Sequence, residues 1–117
     1  MILSLSLPRI GSQMQRGTIH KLIAEAGDEL RPGTPLLELR VDLGTDTAQD
    51  CPPLMFFRII ATERAYLRRL YARAGAVHDV GSVLGITTST RDESAEGIPA
   101  RAMRTTSVAI QIDPLTR

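Results

Sequence analysis

The sequence predicts an all-β fold of two interlocking antiparallel sheets related by a pseudo-twofold axis. An internal repeat carries most of this. The stretch Lys21-Leu22-Ile23-Ala24-Glu25-Ala26-Gly27 returns 48 residues later as Arg69-Leu70-Tyr71-Ala72-Arg73-Ala74-Gly75. At the same offset Gly33-Thr34-Pro35-Leu36 returns as Gly81-Ser82-Val83-Leu84. Each copy reads as a strand, an Ala-Gly turn, a short gap, a glycine and a second strand. Alternating apolar and polar residues, with turn formers between them, supply the remaining support.

The elements follow in order. Ile2, Ser4 and Ser6 alternate with Leu3, Leu5 and Leu7, the pattern of a strand with one buried face. Ala26-Gly27-Asp28 and Arg31-Pro32-Gly33 suit tight reversals, glycine through positive φ and proline through its preset φ. From Leu37 to Val41 apolar and charged residues alternate, a half-buried strand. Residues 44–53 are rich in turn formers and read as a long loop, ending at Leu54-Met55-Phe56-Phe57. Thr62 to Gly75 is contested. Leu67, Leu70, Tyr71 and Ala74 have helical spacing, with Thr62 and Gly75 as caps, whereas the repeat requires strands. The repeat is given precedence, because propensity is the weaker constraint. Val83 to Thr87 is a short strand, residues 88–97 are polar and charged, and Thr106 to Ile112 alternates again. The expected organisation is a domain over 1–88 with a loop inserted at about 44–57, a linker over 89–105 and an extension over 106–117 that offers an extra strand.

Composition narrows the function. The 117 residues suit one domain, and 43% apolar with 23% charged residues fits a globular chain. A net charge of +1 provides no field for nucleic acid or an anionic membrane, and 3% aromatic residues leave little for base stacking. The apolar opening has no basic head and meets Pro8 and Arg9, too short for a signal core or a membrane span. A cytoplasmic protein without nucleic-acid binding or membrane insertion is therefore expected. Cys51 is the single cysteine, so no internal disulfide forms.

Leu7-Pro8-Arg9-Ile10-Gly11-Ser12, Met14, Gly17-Thr18-Ile19, Gly27-Asp28, Gly33 and Pro35-Leu36-Leu37-Glu38-Leu39 together resemble the lipoyl domain of 2-oxoacid dehydrogenase acyltransferases. The biotinyl carrier domain shares the pattern. The second half, Ala65 to Ile86, resembles it more loosely, and the chain from Thr88 on is not covered. The resemblance implies a flattened β-barrel, or sandwich, of two four-stranded sheets with the termini close together. In that family a lysine at the tip of the hairpin joining the halves carries lipoate or biotin as a swinging arm. Here the position falls on Leu43, in Val41-Asp42-Leu43-Gly44. Asp42 matches the family's acidic neighbour, but leucine has no nucleophilic nitrogen, so no amide forms there.

Two other residues have the chemistry for an adduct. Lys21 is the only lysine, and the repeat places it in a strand away from the hairpin tip. Cys51 lies in the enlarged loop, where the adjacent Asp50 opposes thiolate formation. No cofactor is expected; lipoate or biotin would belong to the alternative of a carrier subunit with a non-standard attachment residue. His20 and His78 are not at equivalent repeat positions. Asp42, Asp46 and Asp50 lack the glycine placement and distal glutamate of a calcium loop. No catalytic triad or metal set can be named.

The expectation is a non-catalytic interaction module that has lost its attachment lysine. Its enlarged hairpin would meet a protein partner, a multienzyme or transport component or a second copy, through Asp42, Leu43, Leu54, Met55, Phe56 and Phe57. Efflux adaptors, whose lipoyl-like domain also lacks the lysine, are a third reading; their long helical hairpin and membrane anchor have no counterpart in this sequence.

Overall fold

The computed structural model describes residues 1–11, 14–42 and 54–111. Among them there are ten strands and no helix. Their bounds are β1 Ile2–Ser6, β2 Arg16–Leu22, β3 Glu29–Leu30, β4 Pro35–Asp42, β5 Leu54–Ala61, β6 Ala65–Leu70, β7 Val77–Asp79, β8 Val83–Thr88, β9 Arg101–Ala102 and β10 Thr105–Ile110. The first sheet has the order β3-β6-β8-β1-β9 and the second β10-β5-β4-β2-β7. The contested segment is thus strand β6. Its helical spacing yields because Ala65 and Leu67 are fully buried on one face while Arg69 is exposed on the other.

The repeat is written into the backbone bonds. Ile23 and Ala24 both donate to the Leu36 carbonyl, and 48 residues on Tyr71 and Ala72 both donate to that of Leu84. Gly27 N–H reaches the Leu67 carbonyl, and reciprocally Gly75 N–H reaches that of Ile19. The ladder of β2 with β4 shifts register between Ile19 and Lys21; that of β6 with β8 shifts between Leu67 and Arg69, the equivalent place. β1 and β5 correspond as well: Leu3 faces Thr87 as Phe57 faces Leu39. Gly27, Gly33, Gly75 and Gly81 have φ between 88° and 101°, a region that side chains with a Cβ avoid. Glycine at these four places is what lets each half make its two reversals.

Inward residues from both sheets form one core. Leu3, Leu5 and Leu7 meet Ile19, Leu37, Leu39 and Ile59, with Leu30, Leu67 and Leu84 closing the ends. Ser4 and the outward residues of β2 and β4 stand on the opposite faces, so the period-two reading is the one realised.

Three expectations are corrected. Each sheet has five strands instead of four, and the sheets do not close into a barrel. The first sheet is also mixed, because β9 runs parallel to β1, the other pairings being antiparallel. The cause lies in the C-terminal segment, which adds β9 to the edge of β1 and then crosses to pair β10 with β5. At the crossing Met103 is 5% exposed and joins the core, its N–H bonded to the Ser4 carbonyl. Edge strands with unpaired backbone groups invite such additions.

Candidate functional site

The hairpin that joins the two halves is built from β4 and β5. Register pairs run from Pro35 with Ile60 to Asp42 with Leu54. Its tip, which contains Leu43 and Cys51, lies outside the described residues, as does the whole stretch 44–53. Beyond Leu54 the apolar run divides by strand alternation. Met55 pairs with Val41 and Phe57 with Leu39, on the core side. Phe56 pairs with Arg40 on the outer face, where its ring meets that of His20 edge-on, centroids 4.9 Å apart and planes at 68°. A half-buried aromatic pair therefore flanks the hairpin on the outside of the second sheet.

That outer face carries charge in rows. Lys21, Glu38, Arg58 and Val108 lie side by side across β2, β4, β5 and β10. Glu38 is 6% exposed, and its Oε2 accepts from Arg58 Nη2 at 2.8 Å and Nε at 3.2 Å. The neighbouring row is Thr18, Arg40, Phe56 and Ile110. Between these rows and the turn at Gly75 lies a half-open pocket of about 190 Å³, lined by Thr18, Ile19, His20, Arg40 and Gly75. The buried Glu38 carboxylate is held by Arg58 and pairs with neither Lys21 nor Arg40.

On the first sheet the same face is covered. Residues 89–100, whose polarity suggests a linker, run across it as a strap. The Arg91 guanidinium sits 5.3 Å from the centre of the Tyr66 ring. Arg68 Nη1 donates to the carbonyls of Arg91 and Glu93 and to Thr88 Oγ1. Arg69 Nη2 is 2.6 Å from Glu96 Oε1. Glu93 accepts from the N-terminal ammonium and from Thr90 N–H, which hold its carboxyl down at about 2. Further on, Glu63 accepts from both Arg101 terminal nitrogens, at 2.7 and 2.8 Å, and from Arg104 N–H at 2.6 Å. Those donors, Arg101 first, lower the Glu63 carboxyl to about 2 against burial, which opposes them.

The candidate residues are therefore distributed as follows. Phe56 is on the outer face beside the pocket, Met55 and Phe57 turn toward the core, and Lys21 is exposed on β2, at the outer face of the second sheet. His78 lies on β7 opposite Gly17, with Nε2 buried and unbonded, while Asp79 pairs with Arg16 at 3.3 Å. The histidine-aspartate neighbours thus point apart. Thr18 and Arg40 are the residues sequence reasoning missed, and His20 was weighed only against His78. The repeat held the signal: His20 occupies the place of Arg68, 48 residues on.

Searches against protein-family models, curated proteins and solved structures found no match. No helix among the described residues is long and apolar enough to cross a membrane.

Proposed function

We propose that this chain is a lipoyl-like interaction module that works without catalysis, docking a protein partner through the β4–β5 hairpin. The observation that carries the reading is the hairpin itself. It joins two halves whose backbone bonds interchange under a twofold operation, which is where the resembled family bears its lysine, and after Asp42 this chain has Leu43. Strands β1, β3, β6 and β8 in one sheet and β2, β4, β5 and β7 in the other support the resemblance. With β9 and β10 set aside, each sheet has the four strands the resemblance implies.

Leucine at the tip position removes the nucleophile that an attached arm needs, and leaves an apolar side chain next to a carboxylate. Interfaces use such a combination, an apolar anchor with a charge beside it. The enlarged loop offers more surface than a bare attachment turn requires.

Two measurements test this. Intact mass of the protein purified from its own host should equal that of the bare chain; a lipoyl, biotinyl or acyl increment on Lys21 or Cys51 would make it a carrier instead. Deleting residues 45–53 should leave the amide spectrum of both sheets in place and abolish binding of the native partner. Retention of every partner by the deleted chain would sink the hairpin reading.

A further inference from the structure

The internal symmetry has placed equivalent grooves on the outer faces of the two sheets, and among the described residues only one is filled. Adding 48 carries Thr18 to Tyr66, His20 to Arg68, Lys21 to Arg69, Arg40 to Thr88, and Gly27 to Gly75. The correspondence of β1 with β5 brings Ile2 onto Phe56. On the first sheet the equivalents of Thr18, His20, Lys21, Arg40 and Phe56 all touch the strap. Tyr66 lies under Arg91, Arg68 donates to two strap carbonyls, Arg69 pairs with Glu96, and Thr88 accepts from Arg68 and donates to the Thr90 carbonyl. At Ile2, a Cβ on Gly97 would come within 3.3 Å of the Cδ1 atom, so the strap backbone passes close there.

We infer that the open groove on the second sheet, formed by Thr18, His20, Lys21, Arg40 and Phe56, binds an extended acidic peptide segment of a partner protein. The chain's own strap shows the mode: an irregular segment lying across the strands, held by carbonyls and by a carboxylate. The strap itself is acidic, with Asp92, Glu93 and Glu96 against Arg91. The second-sheet groove offers matching groups. His20 stands where Arg68 donates to the strap carbonyls, Lys21 where Arg69 holds a carboxylate, and Arg40 adds a cation where the first sheet has only a hydroxyl. Arg73, exposed two residues before Gly75 on the adjoining turn, has the same sign. Two of the acidic groups near this patch are engaged elsewhere, Glu38 by Arg58 and Asp79 by Arg16. Phe56, edge-on to His20, supplies the apolar floor that Ile2 supplies on the other side. A phosphate or other small anion would use the cations but neither the floor nor the length of the groove.

This inference does not rest on the hairpin tip, so its failure leaves that reading standing. The test uses the full chain, ¹⁵N-labelled, titrated with a synthetic peptide of residues 89–97. Saturable amide shifts are expected at Thr18, Ile19, His20, Lys21, Arg40 and Phe56, with dissociation constants below about 1 mM, a weak single-peptide affinity. Arg40→Glu, and separately Lys21→Ala, should weaken binding about tenfold while leaving the remaining spectrum unchanged, the loss of one charge-assisted contact. A peptide with Asn and Gln in place of its acidic residues should bind at least tenfold more weakly. Three results would overturn the proposal. One is an absence of shifts in this patch at millimolar peptide. Another is shifts centred on Ile2, Tyr66 and Arg68, which mean exchange with the strap. The last is inorganic phosphate producing the same shifts and displacing the peptide, which marks a small-anion site.

Discussion

The two outer faces are built on equivalent strands, yet among the described residues one is covered and the other is not. On the first sheet, Ile2, Tyr66, Arg68 and Thr88 lie beneath residues 89–100; on the second, Phe56, Thr18, His20 and Arg40 face outward around a pocket. The strands beneath share even the position of their bulges. What differs is one stretch of chain that leaves β8 and turns back over its own sheet. The comparison teaches that covering a sheet face here depends on a few anchoring cations and not on apolar area: Arg68 and Arg69 hold the strap through carbonyls and a carboxylate. The second face has equivalent cations and, among the described residues, no strap.

The largest expected effect breaks the equivalence of the strands themselves. Leu37 on β4 corresponds to Gly85 on β8, where a Cβ would lie 2.5 Å from the Arg69 carbonyl oxygen. A backbone atom cannot yield as a side chain can. Gly85→Ala should therefore destabilise the fold by about 3 kcal/mol, read by denaturant unfolding. A loss under about 0.5 kcal/mol, the range of neutral surface changes, would show that the ladder accommodates a side chain here as β4 does.

The next removes the cover. Arg68→Ala takes away the donor to both strap carbonyls and should cost about 2 kcal/mol, the range for bonds to a charged group. Amide exchange should quicken in residues 90–97, with little change in β2 and β4. Uniform quickening throughout both sheets would mean the strap is part of one cooperative unit.

A smaller change makes the two sheets more alike. Thr87 on β8 corresponds to Leu39 on β4; both are fully buried, but the Thr87 hydroxyl has no bonding partner among the described residues. Thr87→Val keeps the shape and removes the unsatisfied oxygen, so it should raise stability by about 1 kcal/mol. A measured loss would mean that this hydroxyl finds a partner in solution.

The least effect is local and depends on pH. The Glu63 carboxyl is lowered in the folded chain from 4.5 to about 2, so its contribution is complete above pH 4.5 and is lost as pH falls toward 2. Within that window amide protection should fade around Arg101 to Thr106, where Glu63 clamps the crossing. Glu63→Gln should flatten this local acid response. If the wild-type protection stayed constant from pH 4.5 to 2, the clamp would not be holding the segment.

Much of this architecture was legible because it is local. Glycines with positive φ at Gly27, Gly33, Gly75 and Gly81 stand out in the sequence, and their spacing carries the repeat. The hardest segment, Thr62 to Gly75, was readable only through that repeat, since its own spacing favours a helix. The pocket was harder still. His20, Arg40 and Phe56 are far apart in the chain and are joined by strand pairing, so no motif marks them. Lys21 and Phe56 were singled out for other reasons, an attachment nitrogen and a sticky hairpin, and meet on one face.

By itself the sequence determined the all-β class, the twofold repeat and the absence of an amine at the hairpin position, because turn geometry, side-chain period and functional groups are properties of short stretches. Tertiary structure alone decided that β9 joins the first sheet and β10 the second while the sheets stay open, that Met103 stitches them together, and that among the described residues one outer face is covered while its twin is not. Those outcomes depend on where a polar segment lands, and a polar segment has no periodicity to announce its destination. Its place is fixed by contacts such as Arg68 with the strap carbonyls and Glu63 with Arg101, which exist only once distant strands have been brought side by side.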